Sequence, residues 1–359
     1  MRNHLPTVGD DVRSLHSAGE TLETPHVVTY PLGCRAALRM LFAFILALSI
    51  PLHAVTFTET FATNPAANGW QTFGNTNLFS WNSTNQNLHV TWDSSKTNSY
   101  FHRPLGTLLT RSDDFNLGFD LTFTDYASGV TANKPFAFPA AIGFLNLDQA
   151  THTNFSRGTG VNATYGPKNL VEFDFFPAFD IFQPTLAQTL VATNNSSWLY
   201  NHDNLLDMTP GQTFRVTMTY TATNSTLTTT VTNNGTQYGT TQFIIVPASF
   251  DFRCATFSIS SYSDIRDNAS LLAHGTVDNI TLVTPPPPVQ NFTGSFVGAN
   301  WQTQFISRSN WLYTLERTTN FVTWFATSPA TTGNGVTLTL QDTNPPATTA
   351  AYRIRAQRP

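Results

Sequence analysis

The stretch LGFDLTF, residues 117–123, has an apolar side chain at every second position. Residues 214–220, FRVTMTY, repeat this alternation. Successive side chains of a β-strand point to opposite faces, so each stretch would place one face on a core and the other in water. Helical periodicity is nearly absent, and Asn234-Gly235 after a Thr-rich strand is typical of a tight hairpin turn. These patterns predict an all-β fold, an antiparallel β-sandwich of the jelly-roll type.

The composition favours sheet over helix and excludes a nucleic-acid partner. Of the 359 residues only 11% are charged and the formal net charge is -4, whereas nucleic-acid-binding domains carry a basic surface. Aromatic residues make up 13%, and Thr is abundant, both of which suit strands. Cys254 lies in a strand-like run, for which we predict a buried, unreactive thiol.

Residues 1–54 have the pattern of an N-terminal extension followed by a secretory signal peptide. Arg35 and Arg39 precede the apolar run 41–50, and the small residue Ala54 follows at a cleavage point. The run is shorter than the about 20 residues that a membrane span needs. We therefore predict a secreted or cell-surface protein whose residues before Arg35 are unstructured. A short membrane anchor is the alternative.

Four consecutive prolines at 285–288 mark a domain boundary, because such a run is stiff and cannot continue a sheet ladder. We predict a large β-sandwich domain at 55–284, a Pro-rich linker at 285–289 and a small C-terminal β module at 290–359.

Short patterns of the large domain resemble the concanavalin A-like lectin/glucanase sandwiches of secreted bacterial proteins. The matching segments are FTETF at 57–61, NGW at 68–70, NLHV at 87–90, AIGF at 141–144 and VDNITL at 277–282. The resemblance implies two curved antiparallel sheets, with the first and last strands paired in one of them. It also implies that sugars bind on the concave face or on loops at its rim.

The small domain resembles the C-terminal β modules of secreted proteins from Verrucomicrobia-type bacteria. The resemblance rests on residues 311–324, 336–342 and 352–354. It implies a fibronectin-like sandwich without known chemistry, whose role is display or attachment to the cell envelope.

The stretch LVEFDFFPAFD, residues 170–180, places Glu172 and Asp174 on one face of a predicted strand. Laminarinase-type glucanases of this fold use a Glu, an Asp two residues later, and a second Glu as the proton donor. Glu172 and Asp174 match the first two places, but Phe176 or Pro177 stands at the third, and retaining hydrolysis needs both carboxyl groups. We therefore favour a protein without catalytic activity. A glycoside hydrolase or lyase with an acid from another strand is the alternative.

Legume-type lectins of this fold also carry Glu-Phe-Asp on a strand, where the acids hold a transition metal and calcium. By that resemblance Asp174 and Asp180 are candidate metal ligands. Ala178 stands where an Asn is expected, and Gln188 stands where a metal-binding His is expected. Hard cations need several oxygen ligands at once. We therefore predict no cofactor, with a calcium ion between Asp174 and Asp180 as the alternative.

The segment Trp198-Leu199-Tyr200-Asn201, which we interpret as part of a loop, combines aromatic rings with a polar group, as sugar-binding sites commonly do. We predict a lectin-like protein that binds a polysaccharide or glycan. The predicted ligand contacts are Glu172, Asp174, Trp198, Tyr200 and Asn201. Three alternatives stay open: the two acids are exposed and only structural, the Trp198 segment is a loop held by a buried ring, or the chain is a structural surface protein.

Overall fold

The computed structural model describes residues 21–22, 28–29 and 54–359 except 160–165, 178–182 and 196, with backbone alone at 21–22, 28–29, 159 and 202–204. The chain divides into two compact units. One is residues 51–287, and the other is residues 288–359 together with the N-terminal part. This division falls inside the Pro-rich linker predicted at 285–289.

Strands dominate the described residues. In chain order the first are β1 (Thr21–Leu22), β2 (Val28–Thr29), β3 (Val55–Glu59), β4 (Gln71–Phe73), β5 (Phe79–Asn82), β6 (Asn87–Asp93), β7 (Ser99–Leu109), β8 (Phe115–Ser128), β9 (Phe136–Ala137), β10 (Ala140–Leu145), β11 (Leu170–Phe176), β12 (Thr185–Val191) and β13 (Trp198–Leu205). There follow β14 (Thr213–Thr221), β15 (Thr226–Asn233), β16 (Thr236–Gln237), β17 (Gln242–Ile245), β18 (Cys254–Ser261), β19 (Ala269–Thr284), β20 (Val289–Val297), β21 (Asn300–Ser307), β22 (Leu312–Thr318), β23 (Phe325–Ala326), β24 (Thr331–Thr332), β25 (Thr337–Asp342) and β26 (Ala351–Gln357). The helices are the single turn α1 (Leu147–Ala150) and the 3₁₀ turns Pro65–Asn68, Thr76–Leu78 and Arg157–Thr159.

Two sheets face each other in the unit 51–287. Sheet I has the strand order β13-β12-β11-β10-β18-β7-β4, and sheet II has the order β16-β15-β14-β8-β19-β6-β5, with β3, β9 and β17 paired beside this path. Neighbouring strands are antiparallel apart from the short β9–β19 pair. Aromatic rings fill the interior: the centroid of Phe119 on β8 lies 5.5 Å from that of Phe173 on β11. The prediction of an all-β, antiparallel jelly-roll sandwich is confirmed.

The alternation that predicted the strands is visible in their burial. Within β14, every apolar side chain between positions 214 and 220 is buried. The Thr and Arg side chains between them are half-buried on the outer face. Asn234 and Gly235 connect β15 to β16 with φ values of 48° and 75°, the left-handed backbone of a tight hairpin turn. Cys254 is fully buried, as predicted.

The first strand of the sandwich is held by a buried carboxylate. Strand β3 pairs with the end of β19, from Glu59 opposite Ile280 to Val55 opposite Thr284, so the expected pairing of first and last strands is present. Glu59 Oε1 accepts from the backbone N–H of Phe61 at 2.8 Å, and its Oε2 accepts from Trp70 Nε1 at 3.0 Å and Asn68 Nδ2 at 2.9 Å. These contacts explain why the FTETF and NGW segments occur together.

We expect Glu59→Gln to lower the free energy of unfolding by about 1–3 kcal/mol. The glutamine has one acceptor oxygen instead of two, so its NH₂ group would face at least one of the three N–H donors, and that donor would lose its partner. Urea unfolding at neutral pH measures the change. Asp125→Asn is the control, because the Asp125 side chain is 62% exposed, and we expect it to stay within about 0.5 kcal/mol of the parent. A loss of equal size in both variants would contradict the assigned role.

The C-terminal unit is built from two small sheets. One has the order β20-β21-β25, and the other contains β22 and β26 with β23 and β24 along β22. Tyr313 on β22 joins the start of the unit to its core, since its hydroxyl donates to the carbonyl of Pro288 and accepts from the N–H of Arg308, each at 2.7 Å. Trp301 and Tyr352 stack at 4.9 Å between centroids.

The expectation that residues before Arg35 lack structure is wrong at four positions. Strands β1 and β2 both pair with β26, Thr21 opposite Gln357 and Val28 opposite Tyr352. A sheet edge offers unpaired N–H and C=O groups, which any extended segment can satisfy, whatever its side-chain pattern. The predicted signal segment 35–53 lies outside the described residues. In the part of the chain that is described, no helix is long and apolar enough to cross a bilayer.

Candidate functional site

Glu172 and Asp174 lie on the face of sheet I that points away from sheet II. Val171, Phe173 and Phe175 alternate with them and face the core, as the strand period predicts. The two acids are nevertheless buried, with 1% and 0% of their surface exposed. The alternative that placed them on a solvated face is therefore wrong, because another segment of the chain covers them.

That covering segment is residues 146–159, which begin the connection from β10 to β11; residues 166–169 of this connection are also described. Its start is tied to the sheet by the N–H of Asn146, which donates to Asn169 O at 3.2 Å. Tyr100 on β7 donates its hydroxyl to Ala150 O at 2.9 Å, and Asn98 Nδ2 donates to Phe155 O at 3.0 Å. The segment can lie close because the central strands carry small residues on this face, namely Ala141, Gly143, Ala187, Ser258 and Ser260.

Arg157, in the last turn of the covering segment, bonds both acids. Its Nε lies 3.0 Å from Glu172 Oε2 and its Nη2 lies 2.7 Å from Asp174 Oδ2. Tyr262 donates to Glu172 Oε1, and Thr189 Oγ1 lies 2.5 Å from Asp174 Oδ2. A planar guanidinium presents several N–H groups in fixed directions, so one arginine can serve two carboxylates. Arg157, Glu172 and Asp174 therefore form a buried ionic cluster with one positive and two acidic groups.

Burial and charge shift the pKa values of this cluster in opposite directions. Burial raises the pKa of Glu172 to about 7; Arg157 lowers it again in part, and the charge of Asp174 raises it further. Burial alone would lower the pKa of Arg157, but the charges of Asp174 and Glu172 outweigh it and raise that pKa. Burial, with the charge of Glu172, also raises the pKa values of Tyr262 and Tyr100. The guanidinium therefore stays charged, and the pKa of Glu172 lies close to neutrality.

Trp198 and Tyr200 lie on the same face as the acids, at the edge strand β13. Tyr200 is opposite Thr189 and Trp198 is opposite Val191. The ring of Trp198 is half-buried and lies 4.9 Å from the Arg157 guanidinium carbon. Tyr200 is 58% exposed. The predicted aromatic residues therefore form the rim of the buried ionic cluster. The segment that begins at Trp198 is a strand, so its interpretation as a loop is wrong.

Asn201 is not brought together with the other four predicted residues. It follows Tyr200 in the strand, so its side chain points to the opposite face, where Nδ2 donates to Gln242 Oε1 at 3.0 Å. Gln188, its neighbour across the ladder, also faces sheet II and bonds Thr229 Oγ1 at 2.6 Å. The Asn201 side chain points away from the face that carries Tyr200, so the structure does not support its predicted contact with a ligand there.

The described residues near Asp174 do not fit a metal ion. Asp180 lies outside the described residues. Among those described, no three or more Asp, Glu, His or Cys side chains form a group that could hold one. The guanidinium of Arg157 already contacts both acids, and a second cation would meet its charge at short range. Gln188, at the position of the expected metal-binding His, faces the core instead.

The hydrolase alternative requires acids that substrate and water can reach. Glu172 and Asp174 are covered by the segment 146–159 and bonded to Arg157. A retaining mechanism needs a free nucleophilic carboxylate beside a proton donor. The geometry of the described residues therefore favours a binding or structural role for this pair.

Sequence reasoning missed Arg157, Tyr262 and Thr189, which complete the cluster. Arg157 precedes Glu172 by 15 residues and Tyr262 follows it by 90, so no local spacing indicates the contact. One signal was available for Thr189: a polar residue in the strand that follows Glu172 can reach across a ladder. A second signal was that two acids, two residues apart in an apolar run, need a positive charge beside them once they are buried.

Comparisons with known proteins add only a distant likeness of fold. No family model and no curated protein matches the sequence. Among solved structures, peanut lectin with a nine-residue peptide is 17% identical over 63% of this chain and 98% of its own, with a TM-score of 0.40. Lectin I from Ulex europaeus, in complex with the methyl glycoside of α-L-fucose, is 14% identical over 65% and 98%, also at 0.40. A Lotus tetragonolobus seed lectin is 10% identical over 65% and 100%, with the same TM-score. A likeness this distant does not bear on what the chain binds.

Proposed function

We propose that the sandwich binds a carbohydrate, without catalysis, at the rim formed by Trp198 and Tyr200. The observation that carries this proposal is an exposed tyrosine ring beside a half-buried tryptophan on one face of an edge strand. Flat aromatic rings can accept the apolar faces of sugars.

Glu172 and Asp174 act in this proposal as positioning residues. They hold the guanidinium of Arg157, which in turn lies against the ring of Trp198 at 4.9 Å. A cation over an aromatic face is attracted to it and restricts its movement. The acids thus fix the inner half of the rim, and Tyr200 supplies the exposed half.

We expect Tyr200→Ala to weaken glycan binding about tenfold or more, since a tenfold change corresponds to only about 1.4 kcal/mol. A glycan array with the full chain identifies the ligand, and titration calorimetry compares the variants. Phe243→Ala on β17 is the matched control, because Phe243 is an equally exposed aromatic residue (61%) on sheet II. If Tyr200→Ala binds the glycan as tightly as the parent, the binding site lies elsewhere on the protein. An array without hits would favour the structural surface protein.

The location of the protein is part of the same proposal. The charged, apolar and small-residue order at 35–54 supports secretion, and the C-terminal unit is the part proposed to attach to the cell envelope. Fractionation of cells that express the full chain, compared with a chain truncated after residue 287, tests both. Equal retention of the two chains would contradict attachment through this unit.

A further inference from the structure

The acid pair on β11 requires a counter-charge that the chain itself supplies. Two carboxylates that are 1% and 0% exposed cannot rely on water, and an unpaired buried charge costs several kcal/mol. In the resemblance described above, a Glu-Phe-Asp strand meets this need with metal ions. Here the positive charge that faces Glu172 Oε2 and Asp174 Oδ2 belongs to Arg157.

The guanidinium also lies close to two aromatic rings. Its carbon lies 4.9 Å from the ring centroid of Trp198 and 5.8 Å from that of Tyr262. The Arg157 side chain is only 4% exposed. A weakly hydrated, planar cation suits such a site better than a calcium ion, which would need six or more oxygen ligands.

Two further contacts of the acids with described residues are also donors from the protein. Tyr262 donates to Glu172 Oε1 and Thr189 to Asp174 Oδ2. We infer that Arg157 is the permanent counter-ion of this acid pair, so that the sandwich folds and keeps the covering segment 146–159 in place without a metal ion at Asp174. This inference goes beyond the proposed sugar binding and does not depend on it.

The first test compares the native full chain with and without metal. We expect less than about one metal ion per ten chains in plasma mass spectrometry of dialysed protein. We expect the melting temperature to differ by less than about 1 °C between EDTA, calcium and manganese buffers. A resident ion supplied at a hundred times its Kd would instead raise the melting temperature by roughly 5–10 °C. A fall in EDTA that calcium reverses would overturn the inference.

The second test asks whether a free guanidinium can replace the side chain. Arg157→Ala leaves a space beside two carboxylates, and about 20 mM guanidinium chloride should raise its melting temperature relative to sodium chloride, while the parent chain is unchanged or slightly destabilised. Lys96→Ala, at a side chain that is 50% exposed, is the control and should show no such gain. If Arg157→Ala folds and shows none, Arg157 is not the required counter-ion. If it does not fold, the first test still decides.

Discussion

Replacing Arg157 by methionine is expected to lower the free energy of unfolding of the sandwich by about 3–5 kcal/mol. Methionine keeps much of the apolar stem but removes the charge, so Glu172 and Asp174 would be left buried beside each other. This effect is large because the guanidinium bonds both acids and both are buried. Urea unfolding of the full chain at pH 7 measures it.

Two controls separate the loss of charge from the loss of packing. Lys96→Met removes an exposed pair with Asp93 at 3.7 Å and should cost less than about 1 kcal/mol. Adding Glu172→Gln and Asp174→Asn to Arg157→Met removes all three charges and should recover much of the loss. If Arg157→Met alone lowers the free energy of unfolding by less than about 1 kcal/mol, Arg157 is not needed to balance the charge of the two buried acids.

The stability of the sandwich should contain a component that falls as the pH rises from about 4.5 to about 7. Burial raises the pKa of Glu172 to about 7 from an ordinary value of 4.5, so the folded chain holds this proton where the unfolded chain has released it. The unfolding free energy then decreases with pH, by at most about 1.4 kcal/mol per pH unit and roughly 3 kcal/mol across the window.

Other groups contribute to the same profile, so the measurement is a difference. Burial raises the pKa of Asp267, which lies against Gly158, and adds a component of the same sign. Burial lowers the pKa of His102, which adds a component of opposite sign below about pH 6.5. Urea unfolding of the parent and of Glu172→Gln between pH 4.5 and 8 should therefore show a flatter or rising profile in the variant. Parallel profiles would show that folding does not shift the pKa of Glu172.

Much of the sheet could be predicted because strand patterns are local. Alternation at 117–123 and 214–220 reports which side chains face the core, and Asn234-Gly235 reports a turn between neighbours. The same rule places Trp198 and Tyr200 on one face and Asn201 on the other, so the error at Asn201 came from treating this segment as a loop.

The sequence by itself determined an all-β chain, the core face of β11 and the alternate positions of its two acids. Only the tertiary structure decided that this second face is covered, that Arg157 reaches both acids, and that Tyr200 remains exposed beside them. The physical reason is that strand periodicity depends on neighbours along the chain. Desolvation and charge pairing depend instead on which distant segment lies over a face, and nothing in the spacing of Arg157, Glu172 and Tyr262 encodes that.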